Sequence, residues 1–94
     1  MDRNVKRETR MSDLEKALDL IEAGDFSLGD QWDQAHQITQ QHEGEAAFDA
    51  VHALLHRIEG DTSNAAYWDR RAGTDFGTKS RAEELAMIRA MVAD

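Results

Sequence analysis

Apolar residues along this chain recur every three or four positions, in short blocks separated by glycine and small polar residues. Leu14, Ala17, Leu18 and Ile21 open the pattern and predict an amphipathic helix over Asp13–Ala23. Ser12-Asp13-Leu14-Glu15 before it has the S-x-x-E form of a capping box, and Gly24 offers a left-handed stop. A second helix is predicted from Asp30, with Trp32, Ala35, Ile38 and Thr39 on one side and Gln41-His42-Glu43-Gly44 at its end. The strongest pattern lies over Glu45–Glu59. Placed at ~100° intervals, Ala47, Phe48, Val51, Leu54, Leu55 and Ile58 fall in one arc, the expected central core helix.

Gly60 ends that helix, Asp61-Thr62-Ser63 supplies an N-cap, and Asn64 to Ala72 reads as a short fourth helix carrying Tyr67 and Trp68. After Gly73-Thr74-Asp75-Phe76-Gly77, Ser80-Arg81-Ala82-Glu83 repeats the capping-box form. Leu85, Ile88, Met91 and Val92 then give a narrow apolar stripe. The fold class expected is all-α: about five helices arranged as two helical hairpins plus a C-terminal capping helix. Residues 1–11 show no apolar periodicity and read as a disordered, solvated N-terminal arm, leaving 12–94 as a single helical domain.

Composition supports that reading. The chain has 94 residues, 40% hydrophobic and 32% charged, which allows one modest core and too little material for two. It has no cysteine, so disulfides, thiolate metal sites and cysteine nucleophiles are excluded. Proline is also absent, and nothing forbids helix by removing a backbone donor. No run approaches the roughly 18 apolar residues that span a bilayer, and no secretory apolar core follows MDRNVKRETR. The expectation is a cytoplasmic protein with no membrane partner.

The net charge is −8, and its placement is uneven. From Ala17 to His56 there is no Lys or Arg, while Asp19, Glu22, Asp25, Asp30, Asp33, Glu43, Glu45 and Asp49 fall in that stretch. A surface of that sign repels phosphate backbones, which argues against a nucleic-acid partner.

Shifting the chain by 36 residues aligns Asp13 with Asp49, Ala17 with Ala53, Leu18 with Leu54, Gly24 with Gly60, Asp25 with Asp61, Ser27 with Ser63, Trp32 with Trp68 and Asp33 with Asp69. A helix, a Gly-Asp turn and a Trp-bearing helix thus occur twice. One helical hairpin cannot bury its own apolar face, so stacked copies would share a core. From Val51 to Ala72, with Gly60-Asp61 at the turn, Ala65 at the close approach and Ala72 at the end, the second copy resembles tetratricopeptide and Sel1-like hairpins. His52 and His56 depart from that pattern, where such hairpins usually carry apolar or aromatic residues. Trp32-Asp33-Gln34-Ala35-His36, His52-Ala53-Leu54-Leu55-His56-Arg57-Ile58-Glu59-Gly60-Asp61 and Asn64-Ala65-Ala66-Tyr67-Trp68 with Arg70-Arg71-Ala72-Gly73 together resemble a family of small bacterial all-helical proteins with no assigned activity. That resemblance implies a fold and no catalytic residues.

All four histidines, His36, His42, His52 and His56, lie in the stretch without Lys or Arg. His52 and His56 are one turn apart on the predicted third helix, with Glu59 close in angular position, and i, i+4 imidazoles can bind a divalent metal. His36, on the neighbouring helix, could add a third ligand. The spacing is not H-E-x-x-H, because residue 53 is Ala, so the general base of zinc peptidases is missing from its place. A histidine at such a boundary ordinarily packs against apolar neighbours and bonds a carboxylate or carbonyl. Nearby negative charge should raise the imidazole pKa values; values below the ordinary one would mean that burial wins.

Asn64, Trp68 and Arg71 share a face of the fourth helix and would anchor a protein partner if the indole is exposed. Ser12, Ser63 and Ser80 read as caps, and no nucleophile elbow or phosphate loop is present. Two functions follow. The first is a small helical interaction module, binding a protein partner or itself as a homodimer, with no cofactor. The second is a divalent-metal or acid/base site built from His36, His52, His56 and Glu59, with His52 and His56 as the metal ligands.

Overall fold

The computed structural model describes residues 2–93, with side chains described from Ser12 onward. Five helices follow one another: α1 (Asp2–Ala23), α2 (Asp30–Gln40), α3 (Ala46–Ile58), α4 (Thr62–Ala72) and α5 (Arg81–Val92). No strand occurs among the described residues. The chain is all-α, and α1 packs on α2 while α3 packs on α4. The sequence places the same two hairpins.

The third helix is central. Every residue from Phe48 to His56 is buried, and α1, α2, α4 and α5 all contact α3. Leu54 and Leu55 are fully buried there, each burial contributing about 1.5–3 kcal/mol. Leu14, Ala17, Leu18 and Ile21 of α1, Ala35 of α2 and Leu85 and Ile88 of α5 complete the cluster. Met91, expected on the inward stripe of α5, is 39% exposed instead. The inward positions of that helix are Glu84, Leu85 and Ile88, because a buried ion pair, described below, sets its rotation.

Two local expectations change. α1 begins at Asp2, so Ser12 lies within a helix and not at its cap. The segment Asp2–Met11 contains no glycine or proline and several good helix formers, which lets the helix run on from its packed half. The side chains of residues 1–11, on which the solvated-arm expectation depends, lie outside those described. At the other end of α1 the left-handed turn is made by Asp25 and Phe26, with φ of 55° and 54°, and not by Gly24. Gly24 serves close packing: a Cβ there would lie 3.1 Å from Gln31 Cβ at the start of α2. The second capping box forms as expected, with Ser80 Oγ accepting from the Glu83 N–H and the Glu83 carboxylate accepting from the Ser80 N–H.

Candidate functional site

The helical hairpins bring three histidines together. His52 and His56 project from α3 one turn apart, and His36 reaches them from α2. The Nε2 atoms of His36 and His52 are 3.0 Å apart. One ligand nitrogen from each of His36, His52 and His56 can be chosen so that all three lie within 4.8 Å of one another. His52 and His56 are buried and His36 is half-buried.

Aromatic rings hold the cluster on two sides. Trp68 of α4 stacks on His52 with centroids 3.9 Å apart and planes inclined by 14°, and the His56 ring stacks on His52 at 4.8 Å. Trp32 of α2 sits 4.8 Å from the His36 ring and meets His56 edge-on. Its indole N–H donates to the Leu55 carbonyl at 2.9 Å, which anchors α2 to α3. The two tryptophans related by the 36-residue shift therefore flank one cluster at different rings, Trp32 at His36 and His56 and Trp68 at His52.

His56 Nδ1 is hydrogen-bonded to Glu59 Oε1 at 2.6 Å. A carboxylate there fixes the tautomer with the proton on Nδ1 and leaves Nε2 as the nitrogen with a free lone pair. Glu59 thus serves His56, three residues away, and not His52. Burial pushes the His52 pKa down to about 3, with the nearby His36, His56 and Arg71 charges acting in the same direction. Burial also lowers His36, and the opposing carboxylates Glu59, Asp33 and Glu43 do not reverse it. The expected upward shift from the acidic surroundings fails at these two positions because desolvation of the imidazolium outweighs it.

His42 is separate from this group. Its Nε2 meets Asp13 Oδ2 at 2.9 Å and its Nδ1 meets Glu45 Oε2 at 3.0 Å, while its ring stacks on Phe48 at 4.0 Å. Burial alone would lower its pKa, but the hydrogen bonds to Asp13 and Glu45 win and raise it. It clamps α1 to the turn between α2 and α3.

Of the three residues considered as a partner anchor, Trp68 is only 8% exposed. The Arg71 guanidinium covers its face, with Cζ 4.9 Å from the indole centroid, and donates to the Tyr67 hydroxyl. Asn64 is exposed; its backbone and side-chain amides both donate to the Asp61 cap. The indole faces the histidines, and Tyr67 with Arg71 forms the outer edge.

Sequence reasoning missed two buried charged groups. Arg57 of α3 donates from Nε to Glu84 Oε1 at 3.0 Å and from NH1 and NH2 to the Asp69 carboxylate at 2.9 and 3.0 Å. Glu84 is fully buried, and so is Asp49 to within 1%. Arg57 is the first Lys or Arg after Lys16 and falls between Leu55 and Ile58 of the apolar arc of α3, which was the available signal for a buried ion pair. Asp49 gave none, since helix position alone does not distinguish a buried from a solvated aspartate. Protein-family models, curated proteins and solved structures give no match to this chain.

Proposed function

We propose that this chain is a small binding protein for a divalent transition-metal ion, with His36, His52 and His56 as ligands and Glu59 holding His56 in the ligating tautomer. The observation that carries this reading is the convergence of three imidazoles from two helices, with ligand nitrogens within 4.8 Å of one another. A tetrahedral ion with metal–nitrogen bonds of about 2.0–2.1 Å needs nitrogens about 3.3 Å apart, close to the 3.0 Å between His36 and His52 Nε2. Neutral nitrogen donors favour zinc, nickel, cobalt or copper over magnesium and calcium. The depressed pKa of His52 favours ligation over acid/base work. A general base needs a pKa near the operating pH, whereas a ligand needs only to be unprotonated.

Calorimetric titration of untagged protein with zinc and nickel, with magnesium as the comparison, tests the reading. One equivalent of zinc or nickel should bind saturably, and His52→Ala should weaken it at least about 100-fold, as loss of a ligand exceeds the loss of an outer-shell partner. Nickel should also quench tryptophan emission, because both indoles touch the ligand rings. Absence of saturable heat for either ion, or indifference to His52→Ala, removes the proposal.

A second reading, an interaction module acting as a homodimer, draws on α5. Met87 and Met91, one turn apart, are 37% and 39% exposed, and a small chain can extend its core by self-association. A strict monomer by light scattering at high concentration excludes it. Among the described residues no helix is long and apolar enough to cross a membrane.

A further inference from the structure

Among the described residues, the buried side-chain polar atoms without a hydrogen-bond partner are Asp49 Oδ2 and His52 Nδ1. They belong to residues three apart on α3, which places their side chains side by side on one helix face, with Cβ atoms about 5–6 Å apart. Asp49 is 1% exposed and His52 3%. The other Asp49 oxygen accepts from the Gly44 N–H at 3.1 Å, and Arg71 Nε lies 4.0 Å from Oδ2, beyond hydrogen-bond length. Polar atoms this deeply buried are almost always paired. Two atoms without a hydrogen bond, a carboxylate oxygen and an imidazole nitrogen, belong here to residues on one helix face.

The arrangement matches that of His56. Glu59 stands three residues after His56 and occupies its Nδ1; Asp49 stands three residues before His52 and has one oxygen without a hydrogen bond. We propose that Asp49 is the positioning residue of His52: when a cation occupies the three-histidine site, His52 carries its proton on Nδ1 and donates it to Asp49 Oδ2, directly or through one water. This rests on the metal-site reading and adds to it the group that orients the most deeply buried ligand.

The proton accounting supports the assignment. In the metal-free protein one Nε2 must donate to the other across the 3.0 Å contact between His36 and His52. In the metal-free arrangement His52 Nδ1 has no acceptor within hydrogen-bond reach, Asp49 Oδ2 included, so His52 donates from Nε2 and His36 accepts. Loading requires the lone pairs of both Nε2 atoms. The proton on His52 Nε2 therefore leaves to solvent and one is taken up at Nδ1, with no net change in the charge of His52. Asp49 Oδ2, on the same helix face, is the acceptor that a rotation of the two side chains on loading, or one bridging water, brings to the new N–H.

Long-range proton–nitrogen NMR spectra of labelled full-length protein distinguish the two imidazole tautomers. His52 should be protonated on Nε2 without zinc and on Nδ1 with zinc. Asp49→Asn keeps the acceptor for Gly44 but puts an amide NH2 in place of Oδ2, and should weaken zinc binding about 10–100-fold with the His56 tautomer unchanged. Zinc binding with His52 still protonated on Nε2, or with Asp49→Asn within twofold of wild type, overturns the assignment. If Asp49→Asn fails to fold, the wild-type tautomers decide alone. Failure of wild-type protein to bind zinc at all removes the metal-site reading and this assignment with it, an outcome separate from binding without the tautomer change.

Discussion

His56 and Arg57 are neighbours on α3, yet they belong to two buried polar clusters of opposite character. On the Arg57 side, the guanidinium is bonded to both carboxylates it meets. Glu84 receives Nε and NH2, Asp69 receives NH1 and NH2, and Thr74 adds a hydrogen bond to Asp69. Burial would lower the Arg57 pKa, but the hydrogen bonds to Glu84 and Asp69 raise it further above the ordinary arginine value. Three helices are joined by this one group. On the histidine side, the buried His52 Nδ1 and Asp49 Oδ2 are left without a hydrogen bond. Fully paired buried charge reads as a bolt, whereas buried polar groups with capacity to spare mark a place where stability yields to another requirement.

If the contrast is right, the largest loss comes from the Arg57 side. Arg57→Met leaves Asp69 without its cation and the buried Glu84 with only Arg81, 3.5 Å away, and should cost about 3–5 kcal/mol in denaturant unfolding. A loss below about 1 kcal/mol would mean that the two clusters do not differ in kind.

His52→Leu sharpens the comparison from the other side. The folded pKa of His52 is depressed to about 3, so its contribution is intact above the unfolded value of about 6.5 and is lost as pH falls below it. At pH 8 the variant should lie within about 1 kcal/mol of wild type, because a leucine removes an unpaired nitrogen. At pH 4.5, two units below the unfolded value, the variant should be the more stable by on the order of 2 kcal/mol. Thermal unfolding at the two pH values gives the answer, and a variant that loses stability equally at both would contradict the assignment.

His42 should show the smallest effect and the opposite sign. Its pKa is raised in the folded protein, so its stabilisation is present below the unfolded value and fades as pH rises through the folded one. His42→Ala should cost about 1 kcal/mol at pH 5.5, given partners that are 31% and 37% exposed, and less at pH 8.5. An equal deficit at both values would show that stacking on Phe48, and not the paired carboxylates, is what His42 contributes.

Much of the fold was legible because it rests on periodicity. The arc of Phe48, Val51, Leu54 and Leu55 identified the central helix, and Gly60 and Asp61 marked a turn with the cap that forms. The end of α1 at Ala23 was legible, but its left-handed residue was misjudged: glycine was the natural candidate, while Asp25 and Phe26 take that conformation in a turn closed by hydrogen bonds back to Glu22 and Ile21. The histidines were legible as candidates through the i, i+4 spacing of His52 and His56. That Glu59 would pair with His56, and that Trp32 and Trp68 would flank the rings, depended on rotamers and on how α2 and α4 lie against α3.

By itself, the sequence determined the helices, their hairpin order and most residues of the core, because these follow from short-range spacing and from the drive to bury one apolar face per helix. Only the tertiary structure decided which polar side chains went inside with it. Arg57 met Glu84 and Asp69 across three helices, His36 met His52 across two, and Asp49 was buried with one oxygen unpaired. Such pairings join residues up to 27 positions apart, and no local pattern encodes them. They arise where packing brings the helices together and leaves each buried polar group either paired or unsatisfied.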